Sequence, residues 1–370
     1  MEDRDAGKRV RGQGRGGGFF AIGRDTWESL WLAPAGNRLN LILTYLVLLA
    51  GTGSDHRLTK WSAKACEQYL GIGKPRAKVA IEELICSDLV KRTDASTRMM
   101  PQYELPALSL EADPIFLPIG IITGLSDETP VLRRVREVGD PLLLRMLIDL
   151  YGMVALDAAH GVPIRNLRLG LPDGQASARK ISEAGAHAVW ALQEGGHRHA
   201  EGAWTTHHYS KSNTGVAAWS DFWTRLDTLK QIGAIWYEPW LFDGEGLDAE
   251  PLLPLDPAAL YAVADQTDDE SRLTRLAFEA AYLLVGDRQH VFDRNAADFF
   301  VPLPGHHQPP ALRHVARLRV EPDTPGRRLS WRKRRLLVEQ RLRALEQLIT
   351  DLGAGKYTRP MKLPAVKEPF

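Results

Sequence analysis

The sequence predicts an α+β fold, mainly α, and three observations carry that prediction. Residues Leu58 to Arg92 (LTKWSAKACEQYLGIGKPRAKVAIEELICSDLVKR) show apolar side chains at helical spacing, broken by glycines, and then run into strand-like residues. A second helix-to-strand junction of the same order follows at 226–235, and a strongly basic helical pattern fills 330–352. Helix, tight turn, helix and strand in that order spell tandem winged helix-turn-helix domains, followed here by a helical C-terminal region.

At 370 residues the chain is too long for one ordinary domain. Residues 1–18 (MEDRDAGKRVRGQGRGGG) mix Gly and Arg with almost nothing apolar. Such a segment cannot offset its ordering entropy, so it reads as a disordered basic Gly/Arg tail. Lys8, Arg9, Arg11 and Arg15 could touch phosphates from it. A solvated tail without a role is the competing reading.

The first domain spans 19–110. Phe19, Phe20 and Ile22 look extended, Asp25 to Leu32 reads as a short helix anchored by Trp27, Leu30 and Trp31, and Asn40 to Ala50 as a buried helix. Ala65, Leu70 and Ile72 seat the next helix, and Gly71 and Gly73 make the turn. Pro75 falls in an opening helical turn, where its missing N–H costs little. Ala77, Ile81, Leu84 and Ile85 give that helix one apolar face. Leu89 and Val90 begin a strand, residues 93–98 turn it, and Met99 to Leu105 returns it, which makes a wing.

Residues 111–139 read as a linker whose Ile115, Phe116, Leu117, Ile121 and Ile122 require burial. A second winged-helix domain is expected over 140–245, opened by Asp140 as N-cap with Pro141 behind it. It carries a Gly- and His-rich, weakly patterned insert at 158–215, then a helix from Trp219 to Ile232 and a strand from Ala234 to Leu241. A mainly helical region is expected over 246–355. It holds an amphipathic helix from Asp269 to Leu284 (Leu273, Leu276, Ala280, Leu283 on one face) and a basic helix capped by Ser330. Residues 356–370 read as an extended tail.

A net charge of +1 makes no global case for nucleic acid, so that case must rest on local patches. The most apolar run, Leu39 to Ala50, is too short to span a bilayer, which needs ~20 residues. No membrane is therefore expected, and a cytoplasmic protein is the default. Cys66 and Cys86 read as buried thiols. His187, His197, His199, His207 and His208 cluster in sequence without the spacing that zinc ligands need. No phosphate loop, no GxSxG and no ordered Ser/His/Asp set occurs. The expectation is a non-enzyme without cofactor, metal or small-molecule substrate.

In a helix-turn-helix the second helix enters the major groove. Its first turns here offer Lys74, Arg76 and Lys78, with Arg76 the choice for a bidentate contact to guanine. Lys91, Arg92 and Arg98 on the wing would hold the backbone, and Arg332, Lys333, Arg334 and Arg335 on the C-terminal helix would grip phosphates. Double-stranded DNA is the partner these residues fit, and a homodimer is compatible with them. The alternative is a non-catalytic adaptor that uses the winged helices as protein-docking surfaces.

On residues 58–92 the chain resembles the winged helix-turn-helix DNA-binding proteins of bacterial mobile elements. The paired helix–strand ends at 81–90 and 226–235 are similar to those of plasmid replication initiators built from two winged helices. That resemblance implies a sequence-specific DNA-binding protein of a bacterium or mobile element, acting in replication initiation or transcriptional regulation. It also implies one domain that dimerises and two that can touch repeated DNA sites.

Overall fold

Among the described residues helix accounts for 48% and strand for 21%, an α+β composition with helix predominating. The computed structural model describes residues 18–53, 55–109, 113–126, 128–154, 161–163, 165–170, 178–193, 197–200, 209, 215–246, 248–256, 259, 268–286, 292, 299–305 and 309–356. Of the expected tails at 1–18 and 356–370, all but Gly18 and Lys356 lie outside them, with Lys8, Arg9, Arg11 and Arg15, as do His207 and His208. Two units divide the chain. The first takes Met1–Gly152, Thr205–Ile235 and Leu318–Pro325; the second takes Met153–Trp204, Trp236–Arg317 and Gly326–Phe370.

The first unit is built around α2 (Arg38–Ala50), buried along almost its whole length because its sequence is apolar on every side. Asn37 caps it, its side-chain oxygen accepting from the Asn40 N–H at 2.9 Å. Against α2 pack α3 (Ala63–Leu70) and α4 (Lys74–Cys86). The turn between them needs Gly71, which sits at φ 68 and lets the Ile72 N–H donate back to the Cys66 carbonyl. Gly73 then leads into α4, whose first turn holds Pro75 and whose buried face is Ala77, Ala80, Ile81 and Leu84.

Three short strands complete this group: β2 (Leu58–Thr59), β3 (Lys91–Arg92) and β4 (Tyr103–Glu104), in the order β2-β4-β3 and antiparallel throughout. The returning strand is shorter than its sequence suggests, and Leu89 and Val90 are buried turn residues rather than strand. Strand β2 has no signal of its own in the sequence. It exists because the edge of β4 pairs Leu58 with Glu104 and Thr59 with Tyr103.

Residues 111–139 are not a linker. They supply β5 (Ile115–Pro118), which pairs antiparallel with β1 (Phe19–Ile22), then the short α5 (Gly120–Thr123) and α6 (Val131–Val138). The apolar side chains that required burial obtain it by pairing across about a hundred residues, which no local pattern announces. Helix α1 (Arg24–Leu32) and α7 (Pro141–Met153) are joined by a buried carboxylate, Asp149, which accepts from Trp27 Nε1 at 2.8 Å and from the Tyr209 hydroxyl at 2.7 Å. Burial pushes that carboxyl above its ordinary range, against the two donors and Arg145. Asp140 caps α7 as expected, accepting from the Leu142 N–H at 2.9 Å, and also holds Arg225 of α8 (Gly215–Gln231) at 2.7 Å.

The second unit corrects the sequence in one large respect: the described residues of the weakly patterned insert include four strands. It gives β6 (Leu167–Gly170), β7 (Ala178–Ala184), β8 (His187–Leu192) and β9 (His197–Ala200). With β10 (Ile235–Phe242), β11 (Pro251–Pro254), β12 (Phe299–Pro304) and β13 (Ala311–Leu318) they form two sheets, β11-β10-β13-β6-β9 and β12-β8-β7. The expected helix and strand around 226–235 are both present, as α8 and β10. The strand, however, pairs with β11 and β13 inside the larger sheet.

Helix α9 (Asp269–Val285) packs on β12 and β7, capped by Asp268. Its buried line is Leu273, Ala277, Ala280 and Leu284, and Leu283 points outward instead. Helix α10 (Pro325–Gly353) starts five residues earlier than expected, so Ser330 is inside it, buried, its hydroxyl donating to the Arg327 carbonyl. Among the described residues, the region after 246 adds the strands β11, β12 and β13 to the two long helices α9 and α10, which hold more of it. Among the described residues no helix is long and apolar enough to cross a membrane.

Candidate nucleic-acid interface

Burying Ala77, Ala80, Ile81 and Leu84 turns the rest of α4 outward, and Lys74, Arg76 and Lys78 are all exposed. Lys74 Nζ lies 3.1 Å from the Glu67 carboxylate of α3. Both groups are about half exposed, so this pair adds little stability. The hairpin tip after β3 is organised by its own hydroxyls: Ser96 Oγ accepts from the Gln102 N–H and Thr97 Oγ1 from the Met100 N–H, each at 3.0 Å. Met99 and Met100 at that tip are among the most exposed apolar side chains of the chain.

Between the start of α3, the first half of α4 and this hairpin lies a concave surface of about 640 Å³. Lys74, Lys78, Arg92 and Arg98 line it, so four of the six cations named from sequence on α4 and the wing converge there. Arg76 and Lys91 are exposed but lie outside that lining. Lys64, which sequence reasoning missed, is a fifth cation in the lining; its signal is Ser62, whose side chain caps α3 and so sets Lys64 in the first turn. One carboxylate, Glu82, shares the surface and pairs with Arg92.

The C-terminal basic helix divides. Arg332, Lys333 and Arg335 are exposed on α10. Arg334 is not a phosphate contact: it is buried, and its guanidinium grips Glu238 through two bonds of 2.6 and 2.8 Å and Glu270 through Nε at 2.6 Å. The sequence holds the signal for this, since Arg334, Val338, Leu342 and Leu345 continue one helical line, and the last three are core. Burial acts to lower the Arg334 pKa, and the two carboxylates outweigh it, so the group stays charged.

Cys66 is buried as expected, and burial pushes its thiol up to about 12. Cys86, on the outer face of α4, is exposed, which corrects the expectation of two buried thiols. A neutral-pH thiol reagent should therefore modify one cysteine of the native chain, Cys86, and the second only on unfolding; rapid native labelling of Cys66 would refute this burial. His187 is half-buried, which lowers its pKa, and no group of three His, Cys, Asp or Glu converges among the described residues.

Comparison with protein-family models, with curated proteins and with solved structures finds no match to this chain.

Proposed function

We propose that this chain is a sequence-specific double-stranded DNA-binding protein of a bacterium or mobile element, acting through a winged helix-turn-helix in its first unit. Helix α4 would lie in the major groove with Arg76 reading a guanine, and the β3–β4 hairpin would follow the backbone. The observation that carries this reading is the convergence of Lys64, Lys74, Lys78, Arg92 and Arg98 on one concave surface bounded by α4 and the hairpin. A second winged helix at 140–245 has weaker support, because β10 is held in a five-stranded sheet. The biological output is transcriptional control or replication initiation. Tandem repeats beside the gene would favour initiation, a single palindrome regulation.

The test is selection of genomic fragments at two salt concentrations, with wild type and Arg76→Ala compared. Arg76→Ala should lose sequence preference by about 1–3 kcal/mol at one base pair while keeping its salt dependence. Wild type that binds no duplex in a salt-dependent way would overturn the reading.

The adaptor reading has one observation in its favour. A groove of about 950 Å³, lined by Leu32, Pro34, Val79 and Cys86 among others, runs along the outer side of α4, and Leu32 is 83% exposed. A second copy of the chain seated there would give the homodimer that a repeated DNA site calls for.

A further inference from the structure

The second unit holds a different arrangement of cations and rings. Along β10 the two-residue alternation puts Trp236, Glu238 and Trp240 on one face. Arg317 of β13 bonds Glu238 at 3.1 Å, and its guanidinium lies 4.7 Å from the Trp331 ring centre and 6.0 Å from that of Trp236. Arg334 stands 4.9 Å from the Trp240 ring. Arg317, Arg334 and Trp240 are buried, so this network is rigid, yet Trp236 and Trp331 remain 37% and 41% exposed. They are indoles held beside buried guanidinium groups and partly open to solvent.

Helix geometry sets a basic stripe beside one of them. Arg327, Ser330 and Arg334 form the buried side of α10, while Arg328, Arg332 and Arg335, spaced i, i+4 and i+7, form an exposed line along the other side of Trp331. Residues 325–338 contain six basic side chains and no acidic one. Exposed aromatics interleaved with exposed cations match a ligand that offers flat apolar faces and phosphates together. A duplex hides its base faces in the stack; an unpaired strand presents both.

We propose that this surface binds single-stranded DNA, with bases stacked on Trp331 and Trp236 and the backbone held by Arg328, Arg332 and Arg335. The choice of DNA over RNA rests on the reading of the first unit; the stacking site does not. The site shares no residue with the proposed duplex-binding surface and has a different ligand preference.

Fluorescence anisotropy of the full chain with a labelled oligo-dT of about 15 nucleotides tests it. Trp331→Ala and Trp236→Ala should each weaken binding at least about fivefold, with Trp331→Phe near wild type. A Lys74→Ala/Lys78→Ala variant should keep oligo-dT binding while losing duplex affinity. Thermal unfolding of each variant separates loss of the site from loss of the fold. Wild type that ignores oligo-dT at low salt overturns the proposal, as do folded tryptophan variants that bind like wild type. Tighter binding to oligo-rU than to oligo-dT overturns the choice of DNA, and duplex binding lost with oligo-dT binding intact leaves this site standing while the first-unit reading falls.

Discussion

Glu238→Gln should destabilise the second unit by about 3–5 kcal/mol, the cost of removing one partner from a buried ion pair. Glu238 is the hub of its unit: it accepts two bonds from Arg334, one from Arg317 at 3.1 Å and one from Trp240 Nε1 at 2.6 Å. Arg317 and Arg334 are both buried, so neutralising the carboxylate takes from Arg317 an anion at 3.1 Å and from Arg334 one of its two carboxylates. The pH dependence follows from the same geometry. Burial pushes the Glu238 carboxyl up, but Arg334, Arg317 and Trp240 together hold it below the ordinary carboxylate range. A carboxyl depressed on folding contributes stability above its unfolded pKa and loses it as pH falls through the folded one. Wild-type unfolding free energy should therefore drop from about pH 4 downward, and the Gln variant should lack that part of the slope. Urea denaturation followed by tryptophan fluorescence, at neutral pH and at several acidic values, measures both. A neutral-pH change below about 1 kcal/mol would remove Glu238 from the centre of this network.

What the sequence disclosed was local, and what it concealed was not. Gly71, Gly73 and Pro75 punctuate the chain by backbone chemistry alone, so the order α3, turn, α4 was legible. The β1–β5 pair joins Phe19–Ile22 to Ile115–Pro118, and nothing in either run names its partner. The β7–β8 hairpin was hidden differently. Its turn at Gly185 and Ala186 lacks the Asn or Asp of a common hairpin signal, and Ala178, Ala184, Ala188 and Ala191 are buried positions filled by a residue that carries little strand preference. Charge was legible only as composition. Arg334 and Arg335 are neighbours in a basic run, yet one is core and the other solvent-exposed, because a helix turns each residue by about 100° from the last. The exposure of the cations on α4 and the hairpin was legible because they precede or follow a glycine turn or lie on the hairpin, where exposure is set by the backbone.

Removing the charge of Lys64, Lys78 and Arg98 together should flatten the salt dependence of duplex binding far more than removing Arg92 and Lys74. The first three line the concave surface with no ion-pair partner among the described residues, whereas Arg92 is paired with Glu82 and Lys74 with Glu67. Each cation that neutralises a phosphate contributes about 0.9 to the slope of log K against log salt, so the triple alanine variant should lose roughly 2–3 from that slope. Paired cations must first give up their carboxylates, and those carboxylates then face the phosphates, so Arg92→Ala and Lys74→Ala should each cost less than one such step. Glu82→Gln inverts the argument: with its carboxylate gone Arg92 becomes available, and duplex affinity should rise at low salt. Titrations of one duplex from about 50 to 200 mM salt distinguish the variants. If all lower the slope equally, or Glu82→Gln weakens binding, then the concave surface is not where the phosphates lie, and the groove beside Leu32 and Val79 becomes the face of α4 that meets a partner.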